Sequence, residues 1–349
     1  MLQKKTRWII AIAVTFAAIL IGAGAWALEQ YYRLEVCNYE SRDGESHGYY
    51  VTPGMSADSL LHLMQTDYHI ASLTDWRLHK RYLLYSTPRV GYYRFPARIG
   101  DKHLIYRLQS GIESPMRITW TNNIRTNSQL ASVLGRQLLL DSATIHHRLD
   151  SADYMNRYGL KPETAVCMFL PDTYEVYWTT GVDKLFDRMQ QEYNRFWTTE
   201  RQQKADSLHL TREQVATVAS IVESESNKQQ EYPIIASLYL NRLHKGMLLQ
   251  ACPTVIYATG NFRLRRVLKR HIAIDSPYNT YKYAGLPPGP IRCARGSSID
   301  AVLNAPKTTY LFMCANPDFS GTHIFSATYR QHEAVAQQYR QQLNEREIL

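Results

Sequence analysis

The spacing of apolar residues separates one long uninterrupted stretch near the N-terminus from the shorter patterns that fill the rest of the chain. Residues 8–28 contain no charged side chain. As a helix rising 1.5 Å per residue, this stretch spans about 30 Å, the thickness of the hydrocarbon core of a bilayer. The pattern therefore predicts a transmembrane anchor at 8–28, preceded by a tail at 1–7.

Basic and aromatic residues flank this stretch and predict its orientation: Lys4, Lys5, Arg7, Trp8 and Trp26. Basic residues favour the cytoplasmic side and tryptophan favours the interface, so we expect the tail in the cytoplasm and the remaining chain outside it. A cleaved signal peptide is the alternative, because Ala25-Trp26-Ala27 resembles a cleavage site. The apolar stretch is longer than the usual signal-peptide core, which favours an uncleaved anchor.

Residues 29–112 show the short alternating elements of a small α+β module. Ser56 is expected to cap a helix whose apolar side carries Leu60, Leu61 and Met64. Gly91–Phe95 alternates between apolar and polar positions, as a half-buried strand does. A second helix, with Leu104, Ile105 and Leu108 on one face, is expected to end at Gly111.

Residues 113–349 combine strands with a larger number of amphipathic helices. Met116–Trp120 alternates as a strand, and helices are expected within 125–160. The apolar spacing predicts one long polar helix at 180–206 and another amphipathic helix at about 328–346. The fold class expected for the whole chain is thus α+β, with a transmembrane helix, a small α+β module and a larger mixed α/β domain.

Residues 211–225 predict an amphipathic helix with a well-defined start. Thr211 and Gln214 match a capping box, in which each side chain bonds the backbone N–H of the other residue. At 100° per residue, the buried face consists of Val215, Val218, Ala219 and Val222.

Two carboxylates leave this helix on opposite edges of its apolar face. Glu223 lies at one edge and Glu225 at the other, so the two cannot act on one substrate from one side. A carboxyl group at the border of a core is partly desolvated, which raises its pKa and suits a general acid. Glu223 is therefore the candidate catalytic residue. The alternative is a structural glutamate paired with Arg242 or a nearby lysine, and Arg242 itself is better explained as an ion-pair partner than as a ligand.

Polar residues in two downstream loops are candidates for binding a polar substrate. Gln250 and Thr254 offer an amide and a hydroxyl group, and Asn279 and Tyr281 precede a loop whose prolines and glycines predict rigidity. Each candidate has a structural alternative. Gln250 and Thr254 can be turn residues, Asn279 can cap a turn, and Tyr281 can be a packed side chain.

Composition limits the other classes of function. The net charge is +9, which suits nucleic acid, an anionic polymer or lipid headgroups equally well. No zinc-finger spacing, RNP-like strand or run of five basic residues occurs, so nucleic acid is not an expected partner. Five scattered cysteines without C-x-x-C or histidine-rich spacing predict neither a disulfide scaffold nor a metal site, and no cofactor is expected.

Several ordered segments resemble the YceG-like endolytic murein transglycosylase family. They are Gly91–Tyr93, Phe169–Tyr174, Ala219–Glu223, Tyr239–Leu243, Leu249–Gln250, Pro253–Tyr257, Tyr278–Tyr281, Gly285–Ile291 and Gly321–Ser326. The resemblance extends over nearly all of the chain that follows the anchor. Since so many segments occur in order, a chance match is implausible.

The resemblance implies a LysM-like module at 29–112 and a catalytic domain at 113–349. It assigns the catalytic acid to Glu223 and places Gln250, Asn279 and Tyr281 in cleft segments. It further implies glycan strands of peptidoglycan as substrate, a role beside peptidoglycan synthases, and a single-pass protein of the inner membrane with its catalytic domain outside the cytoplasm.

The expected reaction cuts the β-1,4 bond between N-acetylmuramic acid and N-acetylglucosamine within glycan strands and leaves a 1,6-anhydro end. One glutamate gives a proton to the leaving oxygen, and its carboxylate then takes the proton of the attacking C6 hydroxyl. Such cleavage would end the elongation of nascent strands. Two alternatives stay open: a hydrolytic muramidase, and a non-enzymatic scaffold that binds glycan and recruits synthases.

Two positions depart from the family pattern, and both introduce cysteine. Cys252 stands where the family usually has an acidic residue, and Cys293 lies in Arg292–Gly296, which replaces a different family sequence. Because both cysteines fall near the expected cleft, we hypothesise that they form a disulfide in an oxidising compartment.

Overall fold

The structure, a computed structural model, describes residues 2–83, 85, 87–264 and 266–345. The chain divides into two compact units. The first unit comprises residues 1–116 and 175–179, and the second unit comprises 117–174 and 180–349.

The first helix, α1 (Leu2–Glu35), begins before the predicted anchor and continues beyond it. Residues 4–35 are long and apolar enough for a membrane-crossing helix, with a mean hydropathy of 2.3 in the most apolar window. The end of α1 packs within the first unit: Arg33 pairs with Asp75, and Lys102 donates to Glu35 at 2.6 Å.

The first unit contains short strands and helices. In chain order they are β1 (Tyr39–Ser41), β2 (His47–Val51), α2 (Ala57–Met64), β3 (Tyr68–Ile70), α3 (Leu73–Tyr82), β4 (Gly91–Phe95), β5 (Arg98–Ile99) and α4 (Asp101–Ser110). Antiparallel strands form a sheet of order β3-β1-β5, and β2 pairs with β4. The helix cap at Ser56, the strand at Gly91–Phe95 and the helix end at Gly111 are confirmed.

Aromatic side chains and one buried polar network fill the core of the first unit. Its largest fully buried side chains include Trp76, Tyr39, Tyr68, Tyr93 and Phe95. Beside them, the carboxylate of Asp101 accepts hydrogen bonds from Asn38 at 3.0 Å and from the His79 ring at 2.6 Å. A fully buried carboxylate requires hydrogen-bond partners for its oxygen atoms, and this network provides them.

The second unit is mostly helical. Its elements are β6 (Met116–Thr119), α5 (Asn127–Gln137), α6 (Ser142–Asp150), α7 (Ala152–Asn156), β7 (Thr173–Val176), α8 (Val182–Phe196), α9 (Thr199–Ser207), α10 (Arg212–Glu225), α11 (Tyr232–His244), α12 (Cys252–Thr259), α13 (Lys269–Ile272), α14 (Gly296–Leu303), β8 (Phe312–Ala315), β9 (His323–Ser326) and α15 (Tyr329–Glu345). Strands β6 and β7 pair, and β8 pairs antiparallel with β9. The division between the units falls within β6 and β7.

The prediction of one long helix at 180–206 is wrong, because two helices occupy this range. α8 ends at Phe196, and the Thr198 side chain accepts from the backbone of Arg201 to start α9. A threonine that bonds the backbone N–H three residues later favours a new helix start over continuation of the old helix. The apolar spacing alone does not reveal this break.

Helix α10 lies at the centre of the second unit and packs against α11, α12 and α14. Its predicted capping box is present: the Thr211 N–H donates to Gln214 at 2.9 Å, and the Gln214 N–H donates to the Thr211 hydroxyl at 3.2 Å. Every residue from Val215 to Glu223 is buried, so the helix is enclosed on more sides than a one-sided apolar stripe predicts. This enclosure fixes the direction in which its last side chains point.

The loop Gly285–Ile291 has no regular secondary structure and comes very close to another part of the second unit. A Cβ atom built on Gly289 would lie 2.0 Å from the carbonyl oxygen of Glu163. Gly285 has a positive φ of 83°, which glycine adopts without strain. Glycine is therefore needed at Gly285 for its backbone conformation and at Gly289 for the close approach of another backbone segment.

We expect Gly289→Ala to destabilise the protein by about 1–3 kcal/mol, because backbone must move to admit the added methyl group. Gly181→Ala is the matched control, since its site has open space and ordinary backbone angles. Thermal melting of both full-length variants in detergent measures the difference. Equal melting temperatures for Gly289→Ala and wild type would show that this close approach does not exist.

Candidate active site

A cavity of about 320 Å³ lies in the second unit where the end of α10 meets α11, α12, β8, β9 and α15. Its lining residues are Glu225, Leu238, Tyr239, Arg242, Leu249, Gln250, Cys252, Tyr281, Phe312, Met313, Cys314, Ala315, His323 and His332. The walls thus combine apolar and aromatic surface with a few polar groups. This mixture is typical of pockets that bind and orient small ligands or polymer segments.

Glu225 is the one carboxylate among the described residues that line this cavity. Its side chain is half-buried, and its Oε1 accepts a hydrogen bond from the Tyr239 hydroxyl at 2.6 Å. Burial raises the pKa of Glu225 to about 7, although the Tyr239 hydrogen bond and the nearby His323 favour the charged form. A carboxyl group that is partly protonated near neutral pH can donate a proton and later accept one.

Glu223 lies elsewhere and is bonded within a polar network. Asn122 donates to its Oε1 at 2.8 Å, the backbone N–H of Arg295 donates to its Oε2 at 3.1 Å, and the Arg295 Nε lies 3.3 Å from Oε1. The Glu223 side chain has no exposed surface. The two carboxylates do leave α10 in different directions, as the helical wheel predicts. However, it is Glu225 and not Glu223 that reaches the cavity.

Two of the four predicted substrate-binding residues, Gln250 and Tyr281, line the cavity with Glu225. Gln250 has a positive φ of 54°, and its N–H donates to the carbonyl oxygen of Thr280 at 3.0 Å. This backbone bond connects the two loops that the sequence singled out. The Tyr281 hydroxyl lies 3.2 Å from the sulfur of Cys252, at the start of α12.

The other two predicted substrate-binding residues, Thr254 and Asn279, are fully buried. The Thr254 hydroxyl donates to the carbonyl oxygen of Ala251 at 2.8 Å. The Asn279 amide donates to the carbonyl oxygens of Ile272 at 2.7 Å and Ile274 at 2.8 Å. In this structure both side chains bond backbone groups and shape the loops that carry Gln250 and Tyr281.

Arg242 lines the cavity and makes no ion pair with any described residue, which differs from the predicted ion-pair role. Its guanidinium donates to the carbonyl oxygens of Leu311 at 2.6 Å, Leu248 at 3.0 Å and Leu249 at 2.9 Å. It also donates to the Gln250 side chain at 3.2 Å. Arg242 therefore connects α11 with the Gln250 loop and the start of β8.

The hypothesis of a disulfide between Cys252 and Cys293 is wrong, since both side chains are free thiols. Cys252 is exposed and contacts Tyr281, whereas Cys293 is buried in the core. Burial raises the pKa of the Cys293 thiol to about 12, so this sulfur stays protonated. Both cysteines belong to segments expected near the cleft, but this did not imply that their side chains are bonded to each other.

The sequence interpretation also missed His323 and Tyr239 as cavity residues. His323 belongs to a segment quoted for the family resemblance, but no spacing rule placed it near α10. Tyr239 follows Glu225 by 14 positions on another helix, so only the packing of α10 against α11 brings the two together. Within 2–83, 85, 87–264 and 266–345, no cluster of three or more His, Cys, Asp and Glu side chains could hold a metal ion.

The chain belongs to the YceG-like family, whose family model matches residues 49–338. The fold agrees with this assignment. A crystal structure at 2.6 Å, described as a putative YceG-like protein from Listeria monocytogenes, has a TM-score of 0.57 and covers 83% of this chain and 99% of that chain. The two sequences are 24% identical, so this likeness concerns the fold alone.

Curated relatives carry a more specific description. The endolytic murein transglycosylase of Bacillus subtilis (strain 168) is 28% identical over 315 residues, which cover 85% of each chain. The endolytic murein transglycosylase of Streptococcus pneumoniae serotype 2 (strain D39) is 26% identical over 309 residues, covering 76% of this chain. Those residues amount to 54% of the pneumococcal protein, so this chain matches about half of its length.

The raised pKa of Glu225 predicts a specific pH dependence of stability. The side chain has an ordinary pKa of 4.5 and a folded pKa of about 7, so the folded protein holds this proton more tightly than the unfolded chain. Its contribution to stability is complete below about pH 4.5 and is lost as the pH rises through 7.

We therefore expect the melting temperature of Glu225→Gln, measured relative to wild type at the same pH, to increase as the pH rises from 4.5 to 7.5. The reason is that the variant lacks this ionisation. Melting curves at several pH values measure the difference. Glu163→Gln, which removes an exposed carboxylate of the same unit, is the control. Parallel curves for wild type and Glu225→Gln would contradict the raised pKa.

Proposed function

We propose that this protein is a membrane-anchored endolytic lytic transglycosylase of peptidoglycan. It cleaves the β-1,4 bond between N-acetylmuramic acid and N-acetylglucosamine inside glycan strands and leaves a 1,6-anhydro-muramyl end. The names of two curated relatives support this activity. The observation that carries the proposal is the placement of Glu225, a carboxyl group with a pKa of about 7, in a cavity with polar and aromatic walls.

Glu225 is the proton donor in this mechanism. In its protonated form it gives a proton to the glycosidic oxygen as the bond to C1 breaks and positive charge develops at the anomeric centre. The carboxylate that remains stabilises this charge and then takes the proton of the C6 hydroxyl as O6 bonds to C1. One residue thus acts first as acid and then as base.

The described cavity offers one carboxylate, and this agrees with such a mechanism. Glycosidases that use two carboxyl groups hold them about 5–9.5 Å apart on both sides of the scissile bond. Ring closure by an internal hydroxyl group needs neither a second carboxylate nor an activated water. Gln250 and Tyr281 offer amide and hydroxyl groups for the sugar, and Phe312 offers an apolar face.

The remaining parts of the chain fit an enzyme that works at the outer face of the cytoplasmic membrane. In this proposal residues 1–7 are cytoplasmic, 8–28 span the membrane, and 113–349 form the catalytic domain outside the cytoplasm. Residues 29–112 form a LysM-like module that binds glycan. Peptidoglycan synthases are the proposed protein partners, because an enzyme held at this membrane meets nascent strands and ends their elongation.

We expect Glu225→Gln to keep the fold and to lower the release of 1,6-anhydro-muropeptides by at least about 10³-fold, because a general acid contributes roughly 10²–10⁴-fold and the same group also serves as the base. Full-length protein in detergent, incubated with purified sacculi, provides the assay, and mass spectrometry identifies the new ends. Reducing ends instead of anhydro ends would indicate a hydrolytic muramidase.

Glu223→Gln is the matched control on the same helix. We expect it to melt at a lower temperature, because the neutral amide loses the ion pair with Arg295 and replaces one acceptor oxygen of the buried carboxylate with a donor, while the folded fraction keeps its activity. Folded but inactive Glu223→Gln together with active Glu225→Gln would return the catalytic role to Glu223. Wild-type protein that binds sacculi without cutting them would favour the scaffold alternative.

A further inference from the structure

A second carboxylate, Glu231, lies just outside the cavity and binds a histidine that lines it. Its Oε2 accepts hydrogen bonds from the Ser226 hydroxyl at 2.7 Å and from the His323 ring Nδ1 at 3.0 Å. Its Oε1 accepts the backbone N–H of His323 at 2.6 Å. Glu231 therefore holds both the backbone and the ring of the first residue of β9.

These contacts determine the orientation of the His323 ring. Burial alone would raise the pKa of Glu231, but the hydrogen bonds from His323 and Ser226 hold it below its ordinary value. An ionised carboxylate is only an acceptor, so Nδ1 of His323 must carry the hydrogen of their shared bond. The ring's other nitrogen, Nε2, makes no hydrogen bond with any described residue.

His323 and Glu225 line the same cavity and reach it from different elements. Glu225 ends α10, and His323 begins β9. The other polar or titratable groups that line the cavity are Tyr239, Arg242, Gln250, Cys252, Tyr281, Cys314 and His332. Among the described cavity residues, His323 combines an unbonded ring nitrogen with a carboxylate that fixes its ring.

We propose that His323, oriented by Glu231, binds the C6 hydroxyl of the muramyl residue and holds it for attack on C1. This inference rests on the proposed function. In the proposed complex the His323 ring carries both hydrogens and pairs with the ionised Glu231. Nδ1–H donates to Glu231 and Nε2–H donates to O6, so the hydroxyl's own hydrogen stays directed to Glu225. The O6–C1 bond forms as the bond from C1 to the leaving oxygen breaks, the proton of Glu225 goes to that oxygen, and the proton of O6 goes to the Glu225 carboxylate.

The position of O6 decides whether O6 or a water molecule attacks C1. The attacking oxygen must lie about 3–3.5 Å from C1, and misplacement by about 1 Å can cost about 100-fold in rate. If O6 is free to rotate away from C1, water can attack the anomeric centre and leave a reducing end. His323 is thereby assigned a role in the choice of product, and Glu231 is a positioning residue that acts through it.

Two substitutions of His323 separate this role from a structural one. In His323→Asn, the amide N–H can replace Nδ1–H toward Glu231, but no group replaces Nε2. In His323→Gln, the longer amide can reach the position of Nε2. We expect His323→Asn to lower the ratio of anhydro to reducing ends at least about 10-fold, because O6 is no longer held. We expect His323→Gln to restore part of that ratio.

Glu231→Gln is expected to lower the same ratio by a smaller factor, since the His323 ring loses its anchor but not its nitrogen. Ser226→Ala is the matched control: it removes a partner of the same carboxylate and leaves both bonds to His323 in place, so we expect the ratio to stay unchanged. Full-length proteins in detergent are compared on the same sacculi, with kcat, KM and melting temperature measured for each.

The product ratio distinguishes the possible failures. A wild-type ratio in His323→Asn, with or without a lower turnover, would overturn the assignment of His323 while leaving the transglycosylase proposal intact. Wild-type protein that yields only reducing ends, or no cleavage, would overturn the proposed function and this inference with it. A lower ratio in Ser226→Ala equal to that of His323→Asn would show that general loosening of this region is responsible.

Discussion

The buried charge of Glu223 is the interaction on which the candidate active site depends. A carboxylate without exposed surface is very unfavourable unless every oxygen has a partner, and here Asn122 and Arg295 provide them. Arg292 adds a further bond, from its guanidinium to the backbone carbonyl of Glu223 at 3.3 Å. Together these contacts fix the last turn of α10. Because Glu225 lies two residues later on the same turn, its position in the cavity is fixed as well.

The two glutamates show how one short helix can give one residue type two different roles. The carboxyl group of Glu223 is bonded by the Arg295 side chain and by amide donors from Asn122 and the Arg295 backbone. Glu225 accepts a hydrogen bond from the Tyr239 hydroxyl and forms no ion pair with any residue that the structure describes, and burial raises its pKa to about 7. Two residues along a helix correspond to about 200° of rotation, which is why neighbouring carboxylates face such different surroundings.

Periodicity and local motifs predicted much of the secondary structure, because they depend on neighbours within a few residues. The capping box at Thr211, the helix cap at Ser56 and the strand at Gly91–Phe95 are of this kind. The helix break before Thr199 was missed because apolar spacing continues across it. The sequence also predicted that Glu223 and Glu225 diverge, and that the loops containing Gln250 and Tyr281 contribute to one site.

The surroundings of each side chain could not be predicted, since they depend on residues far apart in the chain. Glu223 meets Asn122 from 101 positions earlier, and His323 meets Glu231 from 92 positions earlier. A helical wheel shows which side of a helix a residue occupies, but not whether that side faces a cavity or a buried cation. For the same reason, Thr254 and Asn279 looked like ligands in the sequence, although their polar groups bond the backbone of their own loops.

The length and continuity of helix α1 determine how far the first unit lies from the membrane in the proposed topology. It continues without interruption from the apolar segment to Glu35, and its end is tied to that unit through Arg33 and Glu35. The seven residues after position 28 correspond to about 10 Å of helix. In the proposed topology this helix is a stiff spacer and not a flexible tether, so it keeps the first unit at a set height above the lipid.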